Sequence, residues 1–181
     1  TVHSIIFQNA ENGYTVLRLL TEEGEVITVV GCIPCVAPGE HLAVSGVPET
    51  HPQHGEQLRA VELERSLPED EEAIFSYLSS GICKGVGPAT ARRIVERFGA
   101  ETLDVLEREP ERLTTLKGVT ARKAQEIAES FRQHMGLRRL MAFLAQYQLP
   151  PVLAMELRRQ YGDAALEKVR ENPYLLSGEA C

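Results

Sequence analysis

The sequence predicts two architectures in series, a small β-barrel followed by an all-helical region. Three observations carry this. Residues 1–66 hold five short runs rich in β-branched residues, separated by turn-formers. At Ser66-Leu67-Pro68-Glu69-Asp70 a proline and an acidic run signal a helix start. Beyond that point apolar residues recur at helical spacing and no strand pattern returns.

The five runs are SIIFQN, YTVLRLL, EVITVVG, HLAVSGV and EQLRAVELE. Their partial alternation suits a half-buried pleated surface. Turn signals fall between them at Glu11-Asn12-Gly13, Glu23-Gly24, Ala37-Pro38-Gly39 and from His51 to Gly55. So few strands in so short a stretch fit a closed or nearly closed barrel of the OB type better than a sandwich. The helical part follows through Ile74, Tyr77 and Leu78, then Ile94, Val95 and Phe98, then Ala124, Ile127, Ala128 and Phe131. A shift of 63 positions pairs Pro88 with Pro151, Ala91 with Ala154, Gly99 with Gly162, Leu103 with Leu166, Pro110 with Pro173 and Leu113 with Leu176. Apolar character is kept at Ile94/Leu157 and Phe98/Tyr161, which predicts a duplicated helical unit.

The net charge of -7 conceals an uneven distribution. Residues 1–66 hold 3 Lys+Arg against 9 Asp+Glu, whereas residues 81–139 hold 12 against 8. A polyanion is therefore drawn to the middle of the chain and mildly repelled by its start. No apolar run approaches the roughly 20 residues that span a bilayer. The N-terminal TVHSIIFQNAENG lacks the pattern of a signal peptide, so the expectation is a cytoplasmic protein with no membrane partner.

The stretch ICKGVGPATARRIVERFG, residues 82–99, holds the first functional signal. Gly85 and Gly87 flank Val86, which can turn inward and anchor a tight corner between helices. The amides opening the next helix, around Ala89 and Thr90, lack intrahelical partners and carry its positive dipole end. Such a turn is an anion site, with Lys84, Arg92 and Arg93 as mobile charge around it. The design recurs at Lys117-Gly118-Val119-Thr120-Ala121-Arg122-Lys123, where Thr120 replaces the second glycine and can cap the following helix. Two such turns, 33 residues apart, could hold two backbone phosphates without reading bases. At Gln148-Leu149-Pro150-Pro151 the prolines have no N–H to donate, so this third turn reads as a structural hairpin. Each Gly-X-Gly corner could serve packing alone, and part of the arginine face could be solvated surface paired with Glu96 and Glu101.

Other patterns yield to plainer readings. Cys32-Ile33-Pro34-Cys35 followed by His51-x-x-His54 approaches zinc-ligand spacing. The ligands would come from two barrel loops, however, and the histidine step is short for a helical pair, so no metal is assigned. A redox role would need a βαβ setting that is missing. Cys83 and Cys181 read as incidental thiols of a reducing compartment. The acidic run Glu69 to Glu72 fits a helix N-terminus, and no catalytic triad or acid–base pair emerges.

The twice-used turn is similar to the helix-hairpin-helix motif of DNA repair and replication proteins. The likeness extends to Phe7-Gln8-Asn9, Asn12-Gly13-Tyr14-Thr15-Val16, Thr28-Val29-Val30-Gly31, Pro38-Gly39-Glu40 and His51-Pro52-Gln53-His54-Gly55-Glu56-Gln57. It continues through Tyr77-Leu78-Ser79-Ser80-Gly81, Phe143-Leu144, Tyr161-Gly162 and Glu171-Asn172-Pro173-Tyr174. Over essentially the whole chain it resembles the start of RecD-like ATP-dependent DNA helicases. The resemblance implies an OB-like barrel over 1–66, tandem helix-hairpin-helix units over 67–136, and a third, degenerate unit over 137–181.

In that family these precede a superfamily 1 motor that hydrolyses ATP and unwinds DNA with 5′ to 3′ polarity. The sequence contains no G-x-x-x-x-G-K-[ST], so the expectation is an N-terminal fragment that binds DNA, has no cofactor of its own and stops before the motor domains. ATP and Mg are expected of that motor, in the same parent chain. The family often carries an aromatic where this chain has Leu58, and the barrel's aromatics are only Phe7 and Tyr14. An acidic barrel with two aromatics points to a structural or protein-docking role. The alternatives are a free-standing module of OB plus helix-hairpin-helix type that holds Holliday junctions, and a docking module for a partner such as single-strand DNA-binding protein.

Overall fold

A computed structural model of the chain describes residues 1–172. The repeat partners Pro173 and Leu176, and the segment from Tyr174 to Cys181, lie outside the described residues. The first part is a curled five-stranded sheet: β1 Val2–Gln8, β2 Tyr14–Leu20, β3 Val26–Cys32, β4 His41–His51 and β5 Gly55–Ser66. The order is β1-β2-β3-β5-β4, with β3 and β5 parallel and the other neighbours antiparallel. β4 and β5 are longer than the sequence runs suggest. The polar segment ending at His51 stays paired with β5, from His41↔Ser66 to His51↔Gly55, with one bulge between Ser45 and Gly46. The Val2 amide donates to Glu40 O at 2.8 Å and the Gly39 amide to Val2 O at 3.0 Å, which brings the start of β1 to the start of β4 and curls the sheet over its core. Leu17, Val29 and Ile33 are fully buried there.

Helices then take over. Asp70 caps α1, Glu71–Tyr77, accepting from the Ala73 amide at 2.8 Å. A wide π-type turn, Leu78–Ile82, follows. Then come α2 Pro88–Phe98, α3 Thr102–Arg108, α4 Ala121–Gln146, α5 Pro151–Tyr161 and α6 Ala165–Glu171. The 63-residue register holds element by element: α2 superposes in sequence on α5, the short 3-10 segment Gly99–Glu101 on Gly162–Ala164, and α3 on α6. Gly99 and Gly162 even share their backbone angles, φ 56° and 62°, because each reverses the chain after an equivalent helix.

Two helical cores result. One gathers Ile74, Leu78, Ile94, Leu106, Ile127 and Phe131; the other gathers Leu140, Leu144, Leu157 and Val169. The change of core falls between Met135 and Leu137, inside the unbroken 26-residue helix α4.

A buried polar knot joins barrel to helices. The Glu40 carboxylate is wholly buried at the start of β4. It accepts from the Ala37 amide at 2.7 Å, from Arg65 of β5 at 3.1 Å, and from Arg138 of α4. Arg65 also donates to Pro34 O at 2.8 Å. Close by, the Tyr77 hydroxyl hydrogen-bonds His134 Nε2, joining α1 to α4.

Candidate nucleic-acid interface

At the first corner the chain leaves the wide turn at Cys83, which is buried; desolvation pushes its thiol up to about 12, making it an inert core residue. The Lys84 amide donates to Ser130 Oγ at 2.8 Å, which ties the corner to α4. Gly85 then takes φ 87°, a conformation disfavoured for any side chain, and Val86 drops into the core. Gly87 is the N-cap of α2, and Pro88 fills the first helical position.

Gly87 is different in kind from Gly85. Its φ of -94° is ordinary, and a Cβ built on it meets nothing within 4 Å. Neither conformation nor internal packing requires glycine there, and the residue is exposed. Helix α2 also starts without any side-chain cap, so its first-turn amides at Ala89 and Thr90 are left to an external acceptor.

The second corner repeats the geometry. Gly118 has φ 85°, Val119 is buried, and Thr120 is the N-cap of α4, its hydroxyl accepting from the Lys123 amide at 3.2 Å. Ala121 and Arg122 are exposed, and Lys123 is half-buried. Here the cap predicted from sequence takes the Lys123 amide out of play and leaves those of Ala121 and Arg122, as many first-turn donors as Pro88 leaves at the first corner.

Arg92 and Arg93 are engaged within the protein and are not the mobile charge that their sequence positions suggest. Arg92 lies 3.8 Å over the Phe75 ring and 3.6 Å from Glu72. Arg93 donates to Lys117 O at 2.8 Å, reaching from α2 to the second corner. Arg122 pairs with Glu126 one turn along α4, at 3.4 Å. Among the described residues the side chains of Lys84, Lys117 and Lys123 form no ion pair, so they are the uncommitted cations. Thr90 is buried.

The third corner keeps the same turn with different chemistry. Gln148, 63 positions after Gly85, has φ 57°; Leu149 follows where Val86 and Val119 stand, and Pro150 is the N-cap of α5. Cys35, next to the barrel rim, packs against the core of this unit. Phe7 and Tyr14 lie on that rim, exposed, with ring centroids 6.5 Å apart. Cys32 donates to Asn12 O at 3.3 Å and His51 stacks on His54 at 4.7 Å; among the described residues no group of three or more His, Cys, Asp or Glu could hold a metal ion. Among those residues no helix is long and apolar enough to cross a membrane.

Three family descriptions together match the chain. Residues 1–68 match "ATP-dependent DNA helicase YrrC, OB-fold domain", residues 75–133 match "SAM-like Helix-hairpin-helix tandem", and residues 133–181 match "ATP-dependent RecD2 DNA helicase HHH domain". The chain matches the N-terminal region of RecD-like helicases. A curated relative, the ATP-dependent RecD2 DNA helicase of Deinococcus radiodurans, is 29% identical over 183 residues, covering 97% of this chain and 25% of the relative. The chain thus spans about a quarter of the length of that relative. No solved structure matches it. In this RecD-like region the OB barrel and the helix-hairpin-helix corners coincide with the matched segments, and the second and third segments meet at residue 133, two residues before the change of core.

Proposed function

We propose that this chain is the N-terminal DNA-binding region of a RecD-like ATP-dependent DNA helicase of repair and recombination, and that it grips the phosphate backbone through its first two corners. The observation that carries this is Gly87. Neither its backbone angle nor its packing demands glycine there, yet the exposed position opens a helix with no side-chain cap beside uncommitted Lys84. A bare backbone at such a place lets an external anion approach the amides closely. Phosphate contact of this kind is indifferent to sequence. The 5′ to 3′ motor, with its ATP and Mg, belongs to other parts of the cytoplasmic parent chain.

Fluorescence anisotropy with unrelated duplexes at several salt concentrations tests this. Binding should fall steeply with salt and vary little with sequence. Lys84→Ala and Lys117→Ala should each reduce the magnitude of the log–log salt slope by about 1. Absence of duplex binding at low salt, or wild-type binding by the double variant, overturns the assignment.

The barrel supports a second, separate role. It is acidic, and it exposes Ile6, Phe7 and Tyr14. Those features suit a protein partner, such as single-strand DNA-binding protein, better than a nucleic acid. Calorimetric titration with the purified partner, with Phe7→Ala and Tyr14→Ala as controls, tests that contact.

A further inference from the structure

The three corners share one backbone plan, and the residue just before the positive-φ position differs among them in an informative way. It is Lys84 in the first corner, Lys117 in the second and Tyr147 in the third. The third corner lacks the amide that Gly87 keeps, because Pro150 stands in its place, and at the position of the lysine it presents an aromatic ring that is 61% exposed. The ring rests on Phe143, centroids 5.3 Å apart and tilted by 60°. The Arg170 guanidinium lies 5.7 Å from the centre of the Phe143 ring. An exposed aromatic face braced by a second ring, with a cation beside it, is the chemistry that holds an unpaired nucleobase and its phosphate.

Helix α4 separates this corner from the second one by 26 residues, or about 39 Å. The third corner therefore does not share the few phosphates held by the other two. That length corresponds to about 11 nucleotide steps at 3.4 Å each. We infer that the third corner is a nucleobase-stacking site for single-stranded nucleic acid, in which Tyr147 supplies the stacking face, Phe143 fixes its orientation and Arg170 neutralises the adjoining phosphate. This rests on the reading of the first two corners as phosphate grips, and the duplication explains its origin: one turn, with its anion-binding groups exchanged for an aromatic one.

The test compares the 181-residue chain on a blunt duplex, on the same duplex with a 12-nucleotide 5′ or 3′ single-stranded tail, and on a tail of equal length made of abasic sites. One tail should tighten binding over the blunt duplex, and its abasic version should not. 2-Aminopurine placed along the tail should be quenched at one or two positions. Tyr147→Ala should remove the tail's gain, lowering affinity for tailed DNA about tenfold and abolishing the quench, while blunt-duplex affinity stays unchanged. Tyr147→Phe should retain both. The inference is overturned if Tyr147→Ala behaves as wild type on every tailed DNA, which would assign the patch to protein contact, or if the abasic tail serves as well as the normal one. Binding of the blunt duplex with no contribution from either tail defeats the stacking site and leaves the first two corners standing. Base-dependent tail binding without blunt-duplex binding does the reverse.

Discussion

Arg93 of α2 donates a 2.8 Å hydrogen bond to the carbonyl of Lys117, so the first helix-hairpin-helix corner holds the second by its backbone. The bond fixes the separation between two turns that would each bind a phosphate. Arg93→Ala should weaken duplex binding by loosening that spacing, and Arg93→Lys should restore less than half of the loss, because a single ammonium cannot reproduce the guanidinium's directed reach. Both are expected to leave the salt slope closer to wild type than Lys117→Ala does. A drop in slope equal to that of Lys117→Ala would instead make Arg93 a direct phosphate contact.

The two glycines of the first corner should separate stability from binding. Gly85→Ala places a side chain at φ 87° and should cost about 1–2 kcal/mol, visible as a lower Tm. Gly87→Ala has an ordinary φ and free space and loses only the N-cap preference for glycine over alanine, so its Tm should fall less than that of Gly85→Ala. Its duplex affinity should nevertheless fall several-fold if the proposed phosphate contact is made there, because the methyl group would stand in its path. Equal affinities for wild type and Gly87→Ala would show that nothing docks on that face.

Glu40, Arg65 and Arg138 predict strong coupling between barrel and helices. Removing one member of a fully buried set leaves the others uncompensated, so Glu40→Gln or Arg138→Ala should cost about 3–5 kcal/mol. Denaturant unfolding followed separately by barrel and helix probes should show the two transitions moving apart in either variant.

His134 predicts an acid limb in the stability curve. Burial, aided by Arg138, Arg65 and Arg158 against the opposing Glu40, lowers its pKa from 6.5 to about 4, while Tyr77 hydrogen-bonds the ring. The unfolded chain therefore binds the extra proton first. The stabilisation from keeping this ring neutral is complete above about pH 6.5 and drains away as the pH falls toward 4, by roughly 3 kcal/mol in all. In His134→Gln that part of the pH dependence between 4 and 6.5 should disappear.

Much of this could be seen in the sequence because the signals are local. Gly85-Val86-Gly87-Pro88 and Gly118-Val119-Thr120 declare their turns within a few residues, and the 63-residue register announces the duplication before any packing is known. What escaped are properties that only three dimensions assemble. Glu40 sits in a Pro-Gly turn and looks like a solvated acid; its partners arrive 25 and 98 positions later. Arg92 and Arg93 look alike in sequence, yet one covers Phe75 and the other reaches Lys117. Gln148 gives no hint of its positive φ, since the turn is imposed by its repeat and by the amide bonds of Tyr147, Gln148 and Leu149 back onto the end of α4.

The unbroken passage of α4 through both cores also fixes an angular relationship. Each residue of an α-helix advances the phase by about 100° and the rise by about 1.5 Å. Inserting a single residue beside Gly136 would swing everything from Leu137 onward by that angle and carry the Tyr147 ring to another side of the molecule. The direction in which the last corner points is therefore counted out by helix length, which makes that count as much a part of the recognition surface as the side chains it aims.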